Sequence, residues 1–154
     1  MGVHHITWHS TASGLEDETI HAAALAWLVG DNDAIIIERM SSYHGSYVHM
    51  VTAELTRKGP ATKSLARLGV NALDLLKEQL GQRMDEDNVI HIRLDLLDLI
   101  AGKITLTSPG DRPTVKGKTK LQVYPGDDVT DIAHQTLHEA VVVAKRLNLN
   151  SIPQ

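Results

Sequence analysis

Along Val3–Ala12 apolar and polar residues alternate. Val3, His5, Thr7 and His9 fall on one side, and His4, Ile6, Trp8, Ser10 and Ala12 on the other. A period of two predicts a strand with two different faces. Ser13-Gly-Leu-Glu16 has the form of a capping box, with Ser13 as N-cap, and Glu16-Asp17-Glu18 places negative charge at the positive end of the helix that follows. Ile20, Ala23, Ala24, Trp27 and Leu28 recur at helical spacing, which carries that helix to about Val29 before Gly30-Asp31-Asn32 stops it. Ala34–Met40 and Tyr47–Thr56 are extended stretches. The glycine-bearing loop Ser41–Ser46 between them predicts a hairpin.

Arg57-Lys58-Gly-Pro60 punctuates the chain. Leu65, Leu68, Ala72, Leu75, Leu76 and Leu80 then mark a second helix, broken or kinked at Gly69 and capped at Gly81. Asn88–Asp95 alternates as a strand, and a helical turn over Leu96–Ala101 ends at Gly102. Lys103–Thr107 and Thr114–Tyr124 read as two further strands joined by Ser108–Pro113. The segment 127–150 is a long C-terminal helix, its amphipathic stripe running through Asp127–Leu147. The order β-α-β-β-α-β-(α)-β-β-α predicts an α+β fold, a mainly antiparallel sheet with helices packed on one face. Residues 1–154 are read as a single domain.

Composition narrows the chemistry. The 154 residues are 42% hydrophobic, yet no apolar run approaches the length of a membrane span. The N-terminus has neither the basic nor the apolar region of a secretory signal, and there is no cysteine. Disulfides, thiolate nucleophiles and cysteine metal sites are thereby excluded, and a reducing cytoplasm is the expected compartment. The net charge of −4 weighs against coating nucleic acid by bulk electrostatics. Aromatics are 3% and Phe is absent, so stacking platforms are scarce. Any nucleic-acid contact must therefore come from a local basic patch.

Nine histidines invite a metal hypothesis. His134 and His138 have the i, i+4 spacing that offers two imidazoles to one ion, but Gln135 stands where a zinc protease has its glutamate base. Both fall on the polar side of the last helix, which makes solvated surface histidines the simpler reading. His5 and His9 share a strand face but lie about 13 Å apart along it, too far for one ion. Neither a G-x-S-x-G elbow nor a phosphate loop is present. Asp85-Glu86-Asp87 and Asp127-Asp128 read as solvated turn and cap residues. The charged feature that stands out is Lys116-Gly-Lys-Thr-Lys120, where a strand would project three lysines from one face about 7 Å apart. That spacing approximates the phosphates of a nucleic-acid strand; an exposed strand or a lysine-protected edge is the alternative.

Val3-His-His-Ile-Thr-Trp8, Tyr43-His-Gly45 and Ile92-Arg-Leu-Asp95 followed by Gly102 occur here in an order similar to that of a family of small archaeal proteins. These are described as predicted exosome-associated, RNA-binding proteins. The resemblance covers roughly residues 3 to 124. It implies a fold like that of the fifth large-subunit ribosomal protein and no catalytic residue. The chain departs from the pattern at Ser46, where the family often has Asn, and at Leu96, where it tends to carry Lys. The last helix reads as an extension particular to this chain.

The function expected is that of a non-catalytic RNA-binding accessory protein without a cofactor, with RNA and an RNA-processing complex as partners. Backbone contacts are expected from Lys116, Lys118, Lys120 and Arg93. Tyr43 and His44 are placed to stack on a base, and Gly45 to let the backbone approach. A different class, a dimeric interaction module, would use exposed strand edges or the last helix, where Val142 falls on the polar side. A His-dependent metal enzyme is the third.

Overall fold

A computed structural model describes residues 2–41, 45–108, 110 and 112–147 of the chain. Five strands are β1 (Val3–Ser13), β2 (Ile35–Ser41), β3 (Tyr47–Leu55), β4 (Val89–Asp95) and β5 (Thr114–Leu121). They form one sheet in the order β2-β3-β1-β5-β4, with every neighbouring pair antiparallel. Six helices are described: α1 (Glu18–Val29), α2 (Lys58–Ala66), α3 (Val70–Glu78), α4 (Leu80–Arg83), α5 (Leu96–Ile100) and α6 (Val129–Arg146). The α+β architecture expected from the pattern is the one observed.

Alternation along the strands decides the layering. Ile6, Trp8, Ser10 and Ala12 of β1, with Val51, Ala53 and Leu55 of β3, are buried beneath the helices. So are Ile90, Ile92 and Leu94 of β4 and Val115 and Leu121 of β5. α1 and α2 pack on β1 and β3, and α6 lies across α2 and α3. The opposite face of the sheet is left open.

Trp8 is the central piece of this core. Its cross-strand neighbours are Ala53 and Gly117, both small, and its ring occupies the space they leave. A Cβ on Gly117 would come within 2.4 Å of that ring. The indole N–H donates to the Ser64 hydroxyl at 2.9 Å, and that hydroxyl donates to the Leu28 carbonyl at 2.6 Å, tying β1 to α2 and α1. Truncating such a buried aromatic costs about 3–5 kcal/mol.

Several expectations are corrected. Val3 is buried and His4 exposed, because the register against β5 shifts between Val3 and His5 and the inserted residue reverses the alternation. Asp17, not Ser13, caps α1, accepting from the Thr19 amide; Ser13 and Glu16 exchange hydrogen bonds in the preceding turn. On α1 the buried side holds His21, Leu25 and Leu28, while Ile20 and Trp27 are exposed. The helix is apolar nearly all round, so periodicity alone does not select its inner face. The second helix is broken at Gly69, one of the two alternatives expected there, which turns with φ 88 between α2 and α3; Gly81, expected as a cap, lies inside α4 instead. Lys103–Thr107 forms no strand, only a bridge from Leu106 to Leu94 flanked by two backbone hydrogen bonds.

Candidate nucleic-acid interface

β5 is an interior strand, so the lysine-protected edge is set aside. Val115, Gly117, Thr119 and Leu121 point into the core, which leaves Lys116, Lys118 and Lys120 on the open face. The register fixes their neighbours. Arg93 and His9 flank Lys116, His91 and Thr7 flank Lys118, and Val89 and His5 flank Lys120. The glycine between the first two lysines answers to Trp8 beneath it rather than to any ligand above.

Arg83, the last residue of α4, completes the cluster. Its Nε donates to the Gln79 side chain at 2.6 Å, and its outer nitrogens reach the carbonyls of His91 and Thr107 at 3.5 Å. A cleft of about 300 Å³ lies here, lined by Arg83, His91, Arg93, Thr107, Lys116 and Lys118 among others. Burial, and after it the charge of Arg93, pulls the Arg83 guanidinium below the ordinary arginine value. Burial also holds the His9 imidazole below the ordinary histidine range, with Lys116, Lys118 and Arg93 adding to the effect in that order. Two groups thus register the same local excess of positive charge.

Not every cation is equally free. The Lys120 ammonium donates to the Asp87 carbonyl, and the His91 Nε2 lies 2.6 Å from Asp85 Oδ2. That hydrogen bond holds the Asp85 carboxyl below the usual range. Arg93 leans on the Thr114 hydroxyl at 3.4 Å. Lys116 and Lys118 make no ion pair among the described residues.

Of the residues singled out from sequence, the structure gathers Lys116, Lys118, Lys120 and Arg93 on one half of one face. Gly45, with φ 86, follows the end of β2 and is separated from β5 by β3 and β1. Tyr43 and His44 lie outside the described residues. Arg83, His9 and His91 join the cluster without having been expected there. For the two histidines the strand alternation was a usable signal; for Arg83 nothing local in the sequence points to it.

Other clusters resolve into structural roles. Asp95 is buried, accepts from the Asp98 amide as the cap of α5, and is clamped by Arg112 at 2.7 and 2.9 Å. Ser10, His21 and Glu16 form a hydrogen-bonded chain, with Ser10 Oγ 2.6 Å from His21 Nδ1 and Glu16 Oε2 3.0 Å from Nε2. It resembles a hydrolase triad, but Ser10 is only 2% exposed beneath the helices, where an acyl group cannot reach its hydroxyl. His134 and His138 are exposed on α6, and no group of three or more metal-ligating side chains is found among the described residues. No described helix is long and apolar enough to cross a membrane.

A family model described as RNA binding matches residues 5–121, from β1 through β5. The chain belongs to this family. Solved structures support the same architecture. A DUF54 protein from Methanothermobacter thermautotrophicus is 21% identical with a TM-score of 0.67, covering 92% of this chain and 99% of its own. A DUF54 protein from Archaeoglobus fulgidus is 23% identical with a TM-score of 0.69, covering 89% and 99%. A UPF0201 protein from Methanococcus jannaschii is 12% identical with a TM-score of 0.58, covering 86% and 98%. The first of these leaves fewer residues uncovered than α6 contains, so the match extends into the last helix. No curated protein matches the chain.

Proposed function

We propose that the protein binds RNA through the basic half of its open sheet face, by phosphate contacts from Lys116, Lys118, Arg93 and Arg83. The observation that carries this reading is the convergence of those four cations around one cleft in a protein whose net charge is −4. Lysines on alternate residues of a strand stand about 7 Å apart, close to the rise between phosphates of an extended strand. The surrounding aromatics are few, so backbone recognition outweighs base stacking. Lys120 has a secondary part because its ammonium is already engaged. Tyr43, His44 and Gly45 would serve as a separate contact at the β2–β3 end.

The resemblance to exosome-associated proteins extends the proposal to a non-catalytic accessory in RNA processing, and to a fold relationship with the fifth large-subunit ribosomal protein. Titration of a labelled single-stranded RNA at several salt concentrations tests the site. Wild type should lose affinity linearly on a log–log scale with a slope near −0.7 per phosphate contacted. Lys116→Glu/Lys118→Glu should weaken binding by about a hundredfold or more and flatten that slope by about 1.4, while circular dichroism stays native. Unchanged binding removes the patch from the account.

A dimeric interaction module is supported by one separate observation. Ile36, Ile37 and Met40 are exposed along the edge strand β2. Light scattering that shows a dimer indifferent to RNA at low salt would favour that reading.

A further inference from the structure

The fold holds a second group of cations, away from the lysines of β5. A cleft of about 790 Å³ lies where β3 leaves the sheet and α2 begins, and Arg57, Lys63 and Arg67 line it with Gly30, Asp31 and Gly59. Among the described residues none of the three cations has an ion-pair partner. Two carboxylates, Asp31 and Glu54, also line it, accepting from the Asp33 amide and the Thr7 hydroxyl.

Arg67 is the telling residue. Its Nη1 is buried and has no hydrogen-bond partner among the described residues. Burial pulls the guanidinium below the ordinary arginine value. The side chain passes so close to Gly30 that a Cβ there would come within 2.4 Å of Nη2, so the backbone is shaped to admit it. A buried N–H donor left unmade is costly, and such groups normally have a partner.

The start of α2 reaches the same cleft at Arg57, Gly59 and Pro60. Arg57 is its N-cap residue but makes no side-chain capping bond, and Pro60 has no N–H. The amides of Lys58 and Gly59 are therefore left to an outside acceptor. Gly59 also lacks a structural reason: a Cβ there would meet nothing within 4 Å. A glycine in a helix weakens it, and close approach of a ligand to the backbone gives this one a purpose.

We propose that this cleft binds a phosphate group, held by the Gly59 amide and the Arg67 guanidinium and flanked by Arg57 and Lys63. The combination of a helix N-terminus with a planar guanidinium suits a tetrahedral oxyanion. The phosphate belongs to a nucleotide, an RNA end or the free ion, which share this chemistry. The site does not depend on the sheet-face reading above.

The test is an amide NMR titration of the full chain with inorganic phosphate, uridine 5′-monophosphate, and a short RNA with and without a 5′-phosphate. A saturable shift of the Gly59 amide is expected with inorganic phosphate, and not with chloride at equal ionic strength. Arg57→Gln/Lys63→Gln, both at exposed positions, should weaken this binding about tenfold. Lys116→Glu/Lys118→Glu should leave it within about twofold, as expected for charges that share no ligand. Tighter binding of the mononucleotide, of the 5′-phosphorylated RNA alone, or of neither identifies the source as nucleotide, RNA end or free ion. A Gly59 amide that does not move, a shift that chloride reproduces, or an Arg57→Gln/Lys63→Gln variant that titrates like wild type overturns the proposal.

Discussion

On the open face of the sheet, β4 and β5 present His91, Arg93, Lys116, Lys118 and Lys120. Across β1, strands β2 and β3 present Ile36, Met40, Val48, Met50 and Thr52, with Glu38 and Glu54 as their charges. β4 and β5 alternate between buried and more exposed residues, whereas β2 at the far edge is exposed on both faces. The two halves differ most plainly in the charge of their outward positions. Net charge averages over this division and so hides it. Two like charges about 7 Å apart in water repel by roughly 0.6 kcal/mol, which a folded domain tolerates easily. A phosphate placed among several of them collects the attractions together, within one screening length.

The contrast can be broken from beneath. Gly117→Ala forces a methyl into the Trp8 ring under the lysines and should cost about 1–3 kcal/mol, several degrees in thermal midpoint by calorimetry. An alanine at Ile36 on the far edge, exposed to solvent, should stay within about 0.5 kcal/mol. Asp95→Asn removes charge from a buried cap and clamp at the end of β4, with an expected loss of about 1–2 kcal/mol at pH 7. Because Arg112 holds that carboxyl below the usual range, its contribution is present above the unfolded carboxylate pKa and lost as pH falls through the folded one. Denaturant melts of wild type and Asp95→Asn should therefore converge in acid.

It can also be sharpened. Thr52 lies in the same cross-strand row as His9 and Lys116, so Thr52→Lys carries positive charge across β1. RNA affinity should rise about two- to fivefold at low salt, and the gain should vanish at high salt. The smallest effect concerns His9. Its imidazole is depressed in part by Lys116, Lys118 and Arg93, so a bound phosphate should raise its pKa. Binding then takes up protons, and affinity should increase modestly as pH falls through the titration of this imidazole, an increase that His9→Gln removes. Parallel titrations followed by histidine NMR give both signs.

The legible part of the molecule was the part written in local alternation. The five strands, the hairpin, the last helix and the shared face of the lysines could be read from residues two or four apart. The same pattern also suggested a strand over Lys103–Thr107 that does not form. Other features answer to contacts that no local window contains. The α1 helix shows apolar residues on every side, so only β1 and β3 decide that Leu25 faces in and Trp27 out. The bulge at His4 is imposed by pairing with β5. Arg83 reaches the lysines because α4 ends beside β4, and Gly117 is a glycine because Trp8, from the other end of the chain, lies beneath it.

That last pairing has a consequence in time. β1 is made first and gains β3 early, but its other edge waits until nearly all of the matched segment has been synthesised. At ordinary synthesis rates the wait is roughly 5–20 s, during which the edge carrying His5, Thr7 and His9 is open to stray pairing. The lysines and their neighbours come together only when β5 closes that gap. An RNA that recognises the row therefore selects finished molecules, and by mass action it rewards completion of the sheet rather than any partly folded form.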